Sequence, residues 1–331
     1  MKRLLSMLLV LLVGMILIGC GKEGKSDIIK SLGEQVEDLT KFEVSAVMEI
    51  KDNNKTHVFD IEVKYFKGKD KLELFKVTMK NRDSNNVQVI LKNEEGVFVL
   101  NPTLNKSFKF QSDWPFNSSQ PYLYQSLIKD ILNDKDTIFV KQGDNFVFET
   151  KVDYMKSKEL VKQKIVINGK TLFPKEVSVL DANDNEQIKV IFGDVNYKPD
   201  FKEGEFYIES TMSSVKEEFG NEIPVVSTER PVFNPIFEGE PETGTIGNRI
   251  TMFYSDDENP FIFVQDHATI SEDMMFEVVT GDPIVLSDGI GFVTNNSITW
   301  YRDGVKLQII ASMIDEEIIA VANSIQVQGE K

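Results

Sequence analysis

The chain of 331 residues is poor in the residues that build catalytic and metal sites. Its single cysteine, Cys20, excludes a disulfide within the chain. Its two histidines, His57 and His267, lie far apart in sequence. Neither has a second ligand at metal-binding spacing, so no zinc motif is present. A Ser-His-Asp triad stays formally open, but no nucleophile-elbow motif accompanies either histidine. Phosphate loops are missing too: Gly289-Ile290-Gly291 is followed by no helix and reads as a strand bulge or bend. Basic residues are in deficit, 37 against 53 acids, for a formal charge of −16. Such a chain repels nucleic acid and anionic headgroups at long range, so charge does not carry it to either. After the first 18 residues no second long apolar run occurs, and nothing else is expected to span a membrane.

What the chain does have begins at its N-terminus. Met1-Lys2-Arg3 is a short basic region, and Leu4 to Ile18 is almost unbroken Leu, Val, Met and Ile. That run has the length of a signal-peptide core and is short for a span. It ends in Leu17-Ile18-Gly19-Cys20, which resembles a lipobox. Residues 1–19 are therefore expected to be a signal peptide and residues 20–25 a lipidated tether. The Cys20 thiol would take a diacylglycerol, whose two chains suffice for stable anchoring at the outer face of the cytoplasmic membrane. The competing readings are an ordinary signal peptide with an incidental cysteine, or a signal anchor.

Residues 26–39 have Ile28, Ile29, Leu32, Val36 and Leu39 on one helical stripe, with Ser26 or Asp27 able to cap the start. Strands follow. Phe42, Val44, Ala46, Met48 and Ile50 alternate with polar neighbours, as do Phe59, Ile61, Val63 and Tyr65; Leu72–Leu74 and Val87–Leu91 continue the pattern. Residues 96–110 read as a hairpin turned at Asn101-Pro102, with Phe108 and Phe110 on one face. A second helix is expected over 119–132, with Pro121 in its first turn and Tyr124, Leu127, Ile128 and Ile131 along its apolar stripe. Strands resume at 138–140, 146–150, 161–167, 172–173, 177–180 and 188–192, with Asn168-Gly169 as a two-residue hairpin turn. Residues 26–208 thus predict one large antiparallel sheet. It must curl, and its concave apolar face must be covered by the two helices. The Pro-, Glu- and Ser-rich stretch 209–243 reads as a linker. A small α+β domain over 244–331 has strands at 250–254, 261–265, 290–294, 298–302 and 305–310, a turn at Asp303-Gly304, and a helix opening at Asp315.

The stretch Asn93-Glu-Glu-Gly-Val-Phe-Val-Leu-Asn-Pro-Thr-Leu-Asn-Lys-Ser-Phe-Lys-Phe-Gln-Ser-Asp-Trp-Pro115, followed by Asn117-Ser118-Ser119-Gln120 and Tyr122-Leu123-Tyr124, resembles the sporulation-associated lipoproteins of bacilli and clostridia. These carry a domain similar to the outer-membrane lipoprotein carriers LolA and LolB. The resemblance covers about residues 20–208 and is specific around 93–131. It implies a half-open β-barrel of about eleven strands with helices across its mouth, and in the carriers that cavity holds acyl chains. The related clostridial lipoprotein GerS, needed for spore germination, is the partner of a spore-cortex amidase. Two features depart from the carriers: this chain keeps its own lipid anchor, as LolB does and LolA does not, and a spore former of this type has no ordinary outer membrane. The fold can transfer while the cargo does not.

The candidate residues follow from this. Asp256-Asp257-Glu258 fits no calcium-loop pattern and reads as a solvated turn, and Asp181–Asn185 as a turn between strands. The aromatic set Phe98, Phe108, Phe110, Trp114, Phe116, Tyr122 and Tyr124 either lines a lipid-sized cavity or partner face, or packs a core. Trp300-Tyr301-Arg302 either docks a partner or packs under the last helix. The sequence reading is a mainly β, two-domain lipoprotein with no cofactor, no metal and no catalysis. It would bind a hydrophobic ligand such as an acyl chain, or an extracytoplasmic partner such as a cortex-modifying amidase. The alternatives are a lipid or lipoprotein carrier and an envelope-polymer hydrolase.

Overall fold

A computed structural model gives the fold and describes residues 24–327 apart from 53–54, 85, 155–158, 221–229, 238–239, 256–259, 313 and 315. The signal peptide, Cys20, and the Asp256–Glu258 turn lie outside the described residues. No helix among the described residues is long and apolar enough to cross a membrane.

Helix α1 (Lys25–Asp38) opens the described chain. The Asp27 carboxylate accepts a hydrogen bond from the Gly24 N–H, which places negative charge in the first turn, where exposed N–H groups favour it. Six strands follow: β1 (Lys41–Asp52), β2 (Lys55–Lys67), β3 (Glu73–Asn81), β4 (Val87–Asn93), β5 (Gly96–Asn101) and β6 (Lys106–Phe110). After α2 (Tyr124–Asn133) come β7 (Ile138–Gln142), β8 (Asn145–Lys151), β9 (Leu160–Asn168), β10 (Pro174–Asp181) and β11 (Glu186–Phe192). Each group is a meander of neighbouring antiparallel strands, and the two join where β1 pairs with β11. The resulting order is β6-β5-β4-β3-β2-β1-β11-β10-β9-β8-β7, an open half-barrel of eleven strands. The period-two pattern sets its faces: Phe59, Ile61, Val63 and Tyr65 of β2 point inward, while Asp60, Glu62 and Lys64 between them point out. Ile28 and Leu32 of α1 and Leu127, Ile128 and Ile131 of α2 close over the inward face and share its core.

Three differences from the sequence reading have local causes. Helix α2 begins at Tyr124, not 119, because the preceding turn is held elsewhere: the Ser119 N–H donates to the Asp153 carbonyl, and the Gln120 N–H to Ser126 Oγ. Asn168-Gly169 is not a two-residue turn. β9 ends at Asn168 and β10 starts at Pro174, and Leu172 at φ 54° carries the longer connection. The segment expected as a linker starts with a helix, α3 (Ile208–Phe219). Ile208, Met212 and Val215 fall on one helical stripe, which packs on the outer face of the sheet against Val87, Val89 and Leu91 of β4 and Phe98 and Leu100 of β5. Both faces of β4 and β5 are therefore covered, which is why Val97 to Leu100 of β5 is an unbroken apolar run.

The C-terminal part contains β12 (Phe233–Asn234), β13 (Glu242–Ile246), β14 (Arg249–Tyr254), β15 (Phe261–His267), β16 (Met275–Val279), β17 (Asp282–Leu286), β18 (Gly289–Val293), β19 (Ser297–Arg302), β20 (Val305–Ala311), α4 (Glu316–Asn323) and β21 (Gln326–Val327). Seven strands form a second antiparallel sheet in the order β13-β14-β15-β20-β19-β18-β17. Its core gathers Phe263, Trp300, Leu307 and Ile309 with Ile318 and Ala322 of α4. Strand β16, from the segment read as the small domain, belongs instead to the large sheet. It pairs in parallel with β6 and makes the twelfth strand. The chain thus augments its own sheet edge, the mode in which extended peptides dock on other proteins.

Candidate functional site

Of the seven aromatic residues singled out from sequence, Phe116 is exposed and the other six are buried, and they do not form one surface. Phe98 faces outward and lies beneath α3 with Phe206 and Met212. The other five belong to the concave core. Trp114 packs edge-on to Phe75 at 5.9 Å between ring centroids. Tyr124 lies 4.7 Å from Phe173, and its hydroxyl donates to the Leu172 carbonyl at 3.0 Å. Phe42 stacks on Tyr65 at 5.3 Å and meets Phe173 at 5.4 Å. Ring-on-ring packing of this kind lines the concave face of the half-barrel.

Phe108 and Phe110 meet partners that the sequence did not offer. Phe292 of β18 lies 4.8 Å from Phe108 and 5.2 Å from Phe110, and Tyr301 of β19 stacks on Phe108 at 5.1 Å. The small sheet is therefore the occupant of this face. Alternation along β19 settles the two readings of the Trp300-Tyr301-Arg302 hairpin. Tyr301 points into the half-barrel core, whereas Trp300 points into the small core with α4. Arg302 Nη1 lies 3.1 Å from Asp288 Oδ1. Burial pushes the Asp288 carboxyl up, against the pull of Arg302.

Polar contacts close the same seam. The Ile290 N–H donates to Gln88 Oε1 at 2.6 Å, Asn81 Nδ2 to the Ser287 carbonyl at 2.8 Å, and Asn117 Nδ2 to Asp282 Oδ1 at 2.7 Å. Asn105 Nδ2 reaches the Glu272 carbonyl at 2.7 Å beside β16. Each bond joins groups more than 160 positions apart, so no local signal could have announced it.

A half-open crevice of about 280 Å³ lies along the seam. Its apolar wall combines Met48, Ile50 and Ile188 from the half-barrel with Ile284 and Ile319 from the small domain. Tyr122 is the one residue of the predicted set that lines it. Lys51, Glu159, Gln187 and Glu316 rim the opening. Pockets that bury drug-sized ligands run from about 300 to 1,000 Å³, so this crevice suits a side chain or one short chain segment.

A second, polar cleft of about 390 Å³ is lined by Asp130, Asp134 and Asp153 with Lys129 and Lys151. Burial pushes the Asp130 carboxyl up to about 6, partly opposed by hydrogen bonds from Ser119 and Gln163. Asp134 is held below its ordinary value: burial acts to raise it, but the N–H groups of Lys151 and Asp136 and the Thr150 hydroxyl prevail. The carboxylates of Asp130 and Asp134 are both occupied in holding chain. Gln163 Nε2 donates to Asp130 at 2.8 Å, and the Lys151 N–H to Asp134 at 2.8 Å, tying α2 to β8 and β9. Among the described residues no cluster of three or more His, Cys, Asp or Glu could hold a metal.

Comparison with known proteins bears on what this arrangement serves. The family described as "Sporulation protein YdcC-like" matches residues 1–206. The Bacillus subtilis (strain 168) protein named Sporulation protein YdcC is 33% identical over 343 aligned positions, covering all of both chains. Among solved structures, a chain of the Pseudomonas aeruginosa MucA/MucB complex aligns over 92% of this chain and 99% of its own length, at 11% identity and a TM-score of 0.37. A chain of the Clostridioides difficile complex of the CwlD amidase with the GerS lipoprotein aligns over 54% of this chain and 98% of its own, at 19% identity and a TM-score of 0.23. Both overlays are loose.

Proposed function

We infer that this chain, which belongs to the YdcC-like sporulation protein family, is a lipid-anchored, non-catalytic accessory protein that holds a protein partner outside the cytoplasmic membrane. The observation that carries this reading is the filled half-barrel. The chain's own aromatic side chains occupy the concave face, and its own small domain covers Phe108 and Phe110. Among the described residues, the seam between the half-barrel and the small domain carries an apolar crevice of about 280 Å³ with a charged rim. A buried apolar anchor surrounded by polar contacts is how protein interfaces concentrate their energy. The acyl chains of a lipoprotein would need far more room.

Anchoring is assigned to the diacylglycerol on Cys20, which puts the protein on the extracytoplasmic face of the membrane of the sporulating cell or in the spore envelope. A cortex-modifying amidase, the partner class that the sequence resemblance implies, is the first to test. The apolar wall also admits a single acyl chain, and that is the second reading. No catalytic role is assigned to Asp130 and Asp134, because both carboxylates hold backbone and side-chain donors of their own fold.

The test is binding of a purified cortex amidase to the full lipid-anchored protein on vesicles, compared with Ile319→Glu at the crevice wall. Saturable binding that the variant loses supports the reading. Equal binding by both proteins, or none by either, contradicts it.

A further inference from the structure

We propose that the outer face of edge strand β7, through Ile138 and Val140, rests on the phospholipid surface to which the chain is tethered. This rests on the assignment of the lipid to Cys20. Strand β7 is the last strand of the large sheet and pairs only with β8. Its side chains alternate: Phe139 turns inward and packs 5.1 Å from Phe148, so Ile138 and Val140 turn out. They are 57% and 55% exposed. The helix that covers the outer face, α3, packs on β4 and β5 and does not reach this edge.

The tether decides what lies opposite. Cys20 and Lys25 are five residue steps apart, which at full extension span no more than about 18 Å. Lys25 opens α1, and its Nζ donates to the carbonyl of Thr137, the residue immediately before β7. The attached lipid must therefore enter the bilayer close to the start of this strand.

The charge of the patch agrees. The whole chain is strongly acidic, yet β7 carries no acid, and its Lys141 turns to the other face, with Nζ 5.6 Å from the centroid of the Phe146 ring. The acids around it are paired: Glu149, across from Ile138 on the same face, lies 3.3 Å from Lys162 Nζ. Asp134 accepts from Thr150 Oγ1 and the Lys151 N–H, Asp136 lies 2.8 Å from Lys151 Nζ, and Asp144 lies 3.8 Å from Lys170 Nζ. Two exposed aliphatic side chains fit the boundary between headgroups and acyl chains. There the free N–H and C=O groups of an edge strand stay hydrated while the side chains dip below.

The experiment uses the full lipidated chain with Ile138→Cys or Val140→Cys, each labelled with an environment-sensitive fluorophore, in vesicles of phosphatidylglycerol and phosphatidylethanolamine. Flotation reports the anchor, and brominated acyl chains report depth. The proposal predicts a blue-shifted emission at both positions and loss of fluorescence when the acyl chains carry bromine. Protein that floats with the vesicles while both labels keep an aqueous, unquenched emission overturns this proposal alone. Protein that does not float overturns the anchor and this proposal together.

Discussion

The ring of Phe108 on β6 lies 4.8 Å, centroid to centroid, from that of Phe292 on β18. Through this contact the edge of the half-barrel and the small sheet share one core, and β16 pairing beside β6 extends the union into the backbone.

Phe292→Ala should therefore destabilise the whole chain. Removing a buried phenylalanine ring costs about 3–5 kcal/mol, and here the ring also serves Phe110 and Tyr301. Denaturant unfolding followed by tryptophan fluorescence should show one cooperative transition shifted to lower denaturant, because Trp114 sits in one core and Trp300 in the other. Two separate transitions, with only the second shifted, would mean that the sheets fold independently.

Gly289 sits at φ +144°, a conformation that side chains resist, and an added Cβ would collide with Gln88 Oε1, the acceptor of the Ile290 N–H. Gly289→Ala should cost roughly 1–3 kcal/mol, from backbone strain and a lost seam hydrogen bond. Equilibrium unfolding measures this. A variant as stable as the parent would show that the seam bends freely at this turn.

Glu205 links the sheet to the segment leading into α3, with its Oε1 at 2.9 Å from Lys76 Nζ and 3.1 Å from Lys64 Nζ. Burial works to raise its carboxyl, but the hydrogen bond and charge of Lys76 and the charge of Lys64 outweigh it, so the group lies below its ordinary value. A depressed carboxylate contributes stability above its unfolded value near 4.5, and loses it as pH falls through the lower folded value. Glu205→Gln should therefore cost about 2–3 kcal/mol at neutral pH, with the difference shrinking in acid below pH ~4. Unfolding curves at several pH values test the slope. A difference independent of pH would contradict the ionic account.

Asp130 predicts the opposite sign. Its folded value, pushed up to about 6 by burial, stands above the unfolded value of about 3.9. Between those values the folded state keeps a proton that the unfolded chain has released, so this group's contribution is full below pH ~4 and is lost as pH rises through 6. Asp130→Asn keeps an acceptor for Gln163 Nε2 and cannot ionise. It should gain about 1–3 kcal/mol relative to the parent above pH 6 and nothing at pH ~4. A variant less stable at neutral pH than at pH 4, relative to the parent, would refute the burial argument.

The half-barrel was legible in the sequence because its signals are local. The alternation of Phe42 to Ile50 and Phe59 to Tyr65 marks β1 and β2, and the stripe of Ile28 and Leu32 marks α1. Parity also separates Phe98 from the others, since it sits between the inward residues Val97 and Val99. Helix α3 was hidden by the prolines and acids downstream of it, although Ile208, Met212 and Val215 keep the helical spacing. Strand β16 and the partners of Phe108 were not legible at all. Pairing between Met275–Val279 and Lys106–Phe110 depends on how two distant segments are brought together, and neither segment advertises the other.

The measurement that bears most directly on the central claim is native mass spectrometry of the full lipidated protein, released gently from lipid nanodiscs. The filled half-barrel predicts the mass of the chain with its covalent Cys20 lipid and no further discrete adduct. A stoichiometric extra mass that dissociates as phospholipid or free acyl chain would contradict it, and would make this protein a carrier.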